Sequence, residues 1–163
     1  MPTSEPLISD LAPFIAALAS PAVKKRIAAI KDLGRSKNPA AVLYIVPALS
    51  DPHPAVRCEA AQALGRLDDT DAVPELLAVL NDPVPDVRAA AIVAFRKLHD
   101  GRAVDPLICC LSDKDSRIRA SAAEVLGHFG NRRAQEALTA CAADPFSEVR
   151  EAAIRALEII HKK

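Results

Sequence analysis

Tryptophan is absent from this 163-residue chain, tyrosine occurs once, and aromatic residues make up only 3% of it. The 50% that is hydrophobic is therefore mostly Ala, Val, Leu and Ile, a mixture that suits close helix stacking and excludes simple disorder. Net charge is also missing. Twenty-one basic residues balance 21 acidic ones, so no global field favours nucleic acid or an anionic membrane. No apolar run approaches the roughly 20 residues of a membrane-spanning helix, and no charged start leads into an apolar core and cleavage site. A cytoplasmic location is expected. Cys58, Cys109, Cys110 and Cys141 show neither CxxC nor framework spacing, which fits reduced thiols.

Catalytic constellations are missing as well. There is no GxSxG, no Gly-rich phosphate loop and no nucleophile with an evident base. His53, His99, His128 and His161 are scattered and form no metal pair. Neither a metal nor a cofactor is expected, and the chain reads as non-catalytic.

What is present is a repeat. Asp51 recurs as Asp82, Asp113 and Asp144, and Arg57 as Arg88, Arg119 and Arg150, at a period of 31 residues. The same register aligns Val56, Val87, Ile118 and Val149, then Ala60, Ala91, Ala122 and Ala153, then Leu64, Phe95, Leu126 and Leu157. Carried backward, it aligns Ser20 with Asp51, Arg26 with Arg57 and Gly34 with Gly65, so a diverged copy starts near Ser20.

Within one copy, apolar residues at 56, 60, 63, 64 and 67, and again at 73, 76, 77 and 80, follow the spacing of amphipathic helices. Each copy is a helical hairpin. Asp51 reads as the N-cap of the first helix and Pro52 as its first residue, with Gly65 or Gly127 and a polar turn such as Asp68–Asp71 as stop signals. The expected organisation is one domain, 1–163: a half repeat at 1–19, full repeats at 20–49, 50–80, 81–111 and 112–142, and a half repeat at 143–163. That makes ten helices, with residues 1–6 disordered. The last helix leaves Ala153, Leu157 and Ile160 without a second helix over them, from which end-to-end self-association, or a place in a longer array, is expected.

The run DPxPxVRxxAAxALGxLxDxxAVPxLLxxL resembles the short HEAT-like repeats named after phycobilisome lyases. The resemblance covers nearly the whole chain. It departs at Lys25 for Val56, Lys114 for Pro52, Arg96 for Gly65 and Gln135 for Val73, so the first and last full copies are expected to pack less ideally. The resemblance implies an all-α, right-handed α-solenoid of about four full hairpins plus a half repeat at each end. It implies a structural ladder in which Asp51, Asp82, Asp113 and Asp144 meet Arg57, Arg88, Arg119 and Arg150, as exposed ion pairs worth about 0–1 kcal/mol each. Apolar burial, roughly 1.5–3 kcal/mol per large side chain, outweighs them.

In such a fold the second helices line the concave face. Pointing away from their packing side are Tyr44, Pro47 and Ala48, then Glu75, Ala78 and Val79, then Pro106, Cys109 and Cys110, then Ala137, Ala140 and Cys141. Left uncovered, this stripe marks a partner surface, with Tyr44, Pro47, Glu75, Val79, Pro106, Cys110 and Cys141 as its contact residues. Covered, the same small side chains serve only to let neighbouring helices approach. Cys110 and Cys141 share a column, but helices ~8–10 Å apart guarantee neither a disulfide nor a zinc site, so both read as ordinary small buried thiols.

The function expected is a non-catalytic scaffold that binds a protein or peptide on its concave face. A phycobilin lyase-like or bilin-handling subunit, with Cys109, Cys110 or Cys141 near the chromophore, is the alternative the resemblance suggests. A third is nucleic-acid binding through the basic first copy, where Lys24, Lys25, Arg26, Lys31, Arg35 and Lys37 are offset only by Asp32; with one Tyr and no Trp, a solvated helix face accounts better for those residues.

Overall fold

The computed structural model describes residues 8–162. Among them are ten α-helices: α1 (Ala12–Leu18), α2 (Val23–Arg35), α3 (Ala41–Ile45), α4 (Pro54–Leu67), α5 (Val73–Val79), α6 (Pro85–Leu98), α7 (Val104–Cys110), α8 (Ser116–Phe129), α9 (Gln135–Cys141) and α10 (Ser147–Lys162). They form a right-handed α-solenoid. The even-numbered first helices stack on one another, and the short odd-numbered second helices stack on the other side. The expected disorder of residues 1–6 lies outside the described residues.

Local chemistry sets each boundary. The first helices start two residues later than Asp-Pro suggests, because the Asp51 carboxylate turns back to accept the His53 N–H (2.8 Å) instead of capping the helix. His53 is the N-cap, its Nδ1 accepting from the Ala55 N–H, and Pro54, not Pro52, opens α4. The first helices end at a left-handed residue: Asp68 (φ 55°), His99 (φ 47°) and Gly130 (φ 65°) share one column, and Lys37 (φ 57°) falls in it too. Gly65 and Gly127 are therefore not stops; they lie inside the helices. Asn38, Asp69, Asp100 and Asn131 then accept an N–H two residues on, and the last three open the short 3-10 turns that lead into α5, α7 and α9. In the first full repeat Pro47 removes a helical N–H, and α3 gives way to a 3-10 turn at Val46–Ser50.

The core is one continuous stack. Leu33, Leu64, Phe95 and Leu126 are fully buried, as are Ile30, Ala61, Ile92 and Ala123 beside them. A Cβ added at Gly34 would sit 2.7 Å from Ala63 Cβ, and one at Gly65 or Gly127 2.7 Å from the Cα of Ala94 or Ala156, so these glycines are where consecutive first helices touch. Arg96 occupies that column in α6, opposite Val125. There α6 packs more loosely on α8 than the other first helices pack on their successors.

The terminal helices also differ from expectation. Ala153 and Ile160 of α10 are fully buried although no second helix follows among the described residues, and Leu157 is half-buried. Exposure falls instead on Ile154, at 47%, in a column that is buried in every earlier repeat.

Candidate interaction surface

The ladder runs from each repeat to the next. Arg57 donates through Nε and Nη2 to both carboxylate oxygens of Asp82 (2.7 and 2.9 Å), and its Nη1 donates to the backbone oxygen of Asp51 (2.9 Å). Arg88 with Asp113 and Arg119 with Asp144 repeat this geometry. The first rung is Arg26 with Asp51, one repeat earlier than the pairs expected from the resemblance. Arg150 closes the series with bonds to the backbone oxygens of Asp144 and Pro145 and no carboxylate among the described residues.

These pairs are not exposed. Arg88 and Asp113 side chains retain only 6% and 13% of their accessible surface, so the bidentate contact is made largely out of water. Burial alone would raise the Asp51, Asp82 and Asp113 carboxyls, but guanidinium and backbone N–H donors hold all three below the ordinary carboxylate range. For Asp144 the Arg119 hydrogen bonds dominate, with the same result. Every ladder carboxylate is thus satisfied and ionised, and each ties one repeat to the next.

Between successive second helices, beside this ladder, lie open grooves. One of about 390 Å³ is lined by Val46, Pro47, Leu49 and Ser50 on one side and Glu75, Ala78, Val79 and Asp82 on the other. The next, of about 230 Å³, lies between Leu77, Leu80 and Asn81 and Pro106, Cys109, Cys110 and Asp113. Nearer the start of the chain a third, of about 390 Å³, is bounded by Ile15 and Leu18 of α1 and by Leu43, Tyr44 and Pro47. Each groove reaches a ladder aspartate: Asp51, Asp82 or Asp113.

The residues expected on this face separate into two groups. Pro47 and Glu75 are exposed, and Tyr44 and Pro106 half-buried, all four on groove walls. Val79, Cys110 and Cys141 are 7%, 8% and 8% exposed; Val79 and Cys110 line the grooves from largely buried positions, and Cys141 packs against the preceding repeat. The Cys141 thiol donates to the Leu111 carbonyl oxygen of the preceding repeat (3.7 Å). Burial, then the nearby Asp113, pushes the Cys110 thiol up to about 11, and burial also raises Cys141, so both are protonated, weak nucleophiles at neutral pH. One wall residue lies outside the expected stripe: Leu43, at 75% the most exposed large hydrophobic among the described residues. Leu43 lies one position before the column that was followed, where later copies carry Pro74, Asp105 and Glu136. Within the basic first copy Arg26 is taken up by Asp51, while Lys24, Lys25, Lys31, Arg35 and Lys37 are exposed. No group of three or more His, Cys, Asp or Glu among the described residues is placed to hold a metal ion, and no helix there is long and apolar enough to cross a membrane.

Comparison with known proteins agrees with this architecture. A family model for HEAT repeats matches residues 11–96 and 73–158. Among solved structures, a chain of the CpcE–CpcF complex of phycocyanin lyase from Nostoc sp. PCC7120 is 28% identical with a TM-score of 0.81, covering 100% of this chain and 69% of that one. An engineered protein is 21% identical with a TM-score of 0.70, covering 94% and 80%. A designed armadillo repeat protein in complex with the peptide (KR)4 is 19% identical with a TM-score of 0.69, covering 93% and 82%. No curated protein matches the sequence significantly. With the period, the helix pairs and a family match running almost end to end, the chain belongs to the HEAT-repeat family.

Proposed function

We propose that this chain is a binding scaffold that presents its second-helix face to a segment of a protein partner. The observation that carries the proposal is the series of open grooves between successive second helices, spaced one repeat apart, whose walls mix apolar and polar residues. Clefts that combine apolar wall with placed polar groups are a usual form of recognition site. The ladder holds the walls in register, so the cost of ordering the site falls on folding and not on binding. The test is affinity capture with the intact protein, an Ala78→Phe variant that fills the 390 Å³ groove, and a Glu158→Lys variant on α10. A partner retained by the native and α10 variants and lost with Ala78→Phe supports the proposal. A partner held equally by all three removes it.

A second function is favoured by one observation: the likeness to the phycocyanin lyase chain extends over the whole of this chain at 28% identity. The scaffold then acts as a subunit that positions a bilin or its acceptor protein, with the exposed Cys109 on the wall of the 230 Å³ groove. Co-expression with a bilin-producing system tests it. Chromophore that copurifies and is lost with Leu77→Arg supports a bilin-handling role; colourless protein at full bilin supply excludes it.

A further inference from the structure

We infer that the segment taken up on the second-helix face is cationic: an extended stretch of a partner protein that sets a Lys or Arg against Glu75, with small apolar residues beside it. This rests on the groove proposal and gives it a charge. Helices α3, α5, α7 and α9 contain Glu75, Asp105 and Glu136 but none of the chain's 21 Lys and Arg residues and no His. In a chain of zero net charge, that is a segregation of sign onto one face.

The three carboxylates are not equivalent. Asp105 is already paired with Arg133 at 2.8 Å, in the turn before α9. Glu75 and Glu136 are exposed and make no ion pair or side-chain hydrogen bond among the described residues. Glu75 stands on the wall of the 390 Å³ groove, opposite Pro47 and beside Ala78 and Val79. The other carboxylate on that wall, Asp82, is neutralised by Arg57, so the groove keeps one uncompensated negative charge between apolar surfaces. Apolar walls focus such a field and reward a cation whose aliphatic stem lies along them. Grooves recur once per repeat, and neighbouring helix axes are ~8–10 Å apart, which is about three residues of extended chain.

The probes are fluorescein-labelled (Lys-Pro-Leu)3 and (Glu-Pro-Leu)3, followed by fluorescence anisotropy with the whole chain. The lysine peptide is expected to bind at least about tenfold more tightly than the glutamate peptide, and more weakly at about 300 mM than at about 50 mM salt. Glu75→Lys is expected to weaken it about tenfold, while Glu158→Lys, an exposed carboxylate on α10, leaves it unchanged. If the glutamate peptide binds as well or better and Ala78→Phe abolishes that binding, the grooves stand and the cationic inference falls. If neither peptide binds, or binding survives Ala78→Phe, the groove proposal falls with it. Circular dichroism confirms that each variant is folded.

Discussion

Single residues govern how closely the repeats stack. A methyl group at Gly65 meets the Ala94 backbone at 2.7 Å, whereas one at Gly101 meets nothing within 4 Å. Gly65→Ala is therefore expected to destabilise the fold by about 1–3 kcal/mol and Gly101→Ala by less than about 0.5 kcal/mol, read from urea denaturation midpoints. The left-handed column makes the opposite prediction. Asp68→Gly removes the strain of a Cβ at φ 55° and is expected to stabilise by about 0.5–1 kcal/mol, the conformation Gly130 already adopts at φ 65°. Neither role was legible in the sequence. Glycine two residues before a helix end looks like a stop signal, and only the next repeat's Ala94 shows it to be a contact. The Asp51–Pro52 pair misled in a similar way: cap and first proline can be read at 51–52 or at 53–54, and the carboxylate chose the guanidinium of Arg26.

At the scale of elements, the ladder joins each first helix to the turn before the next one, between residues 25 apart along the chain. Removing the charge of Asp113 strands Arg88, which is only 5% exposed, and Asp113→Asn is expected to cost roughly 1.5–3 kcal/mol. A double-mutant cycle on this pair should show clear coupling. The same cycle on Arg117 and Asp86, 3.5 Å apart but 67% and 73% exposed, should show none. The ladder carboxyls titrate below their unfolded values, so their stabilising contribution is complete above about pH 4 and is lost as pH falls through the depressed range. Urea midpoints should be level from about pH 7 to pH 5 and fall below about pH 4, with a shallower fall in Asp113→Asn. A stability that rises on acidification would contradict the ladder's electrostatics. The partners of this ladder could be named from the 31-residue register, but their burial could not, because periodicity fixes columns and not depth. The burial of Cys110 and Cys141 agrees with their reading as small buried thiols, whereas Val79 is 7% exposed although it lines a groove.

The whole molecule is legible from its period: helix pairs, packing columns and the family follow from positions that repeat. What the period does not reveal is what differs between copies. Arg96 in the glycine column loosens the α6–α8 seam. The outer faces of the two end helices carry further departures: Lys25 and Asp32 on α2 replace inner Val and Ala, while Glu151 and Glu158 on α10 stand where inner copies have Ala or Cys and Gly or Arg. Stacked head to tail in the repeat register, Glu158 of one molecule would face Asp32 of the next, and Arg150 would meet Ser20 where inner rungs have aspartate. The chain is therefore expected to sediment as a monomer at about 100 µM, and an assembly lost on Ile154→Glu would show otherwise. Second helices that carry no Lys, Arg or His are the feature on which the proposed partner face rests.

Hydrogen–deuterium exchange of the protein with and without its captured partner tests that picture most directly. Protection is expected at residues 43–50, 74–81 and 105–112, which form the groove walls, with the outer surfaces of α4, α6 and α8 unchanged. Protection confined to those first helices, or to the turns at 35–40, 66–71 and 97–102, would contradict the account.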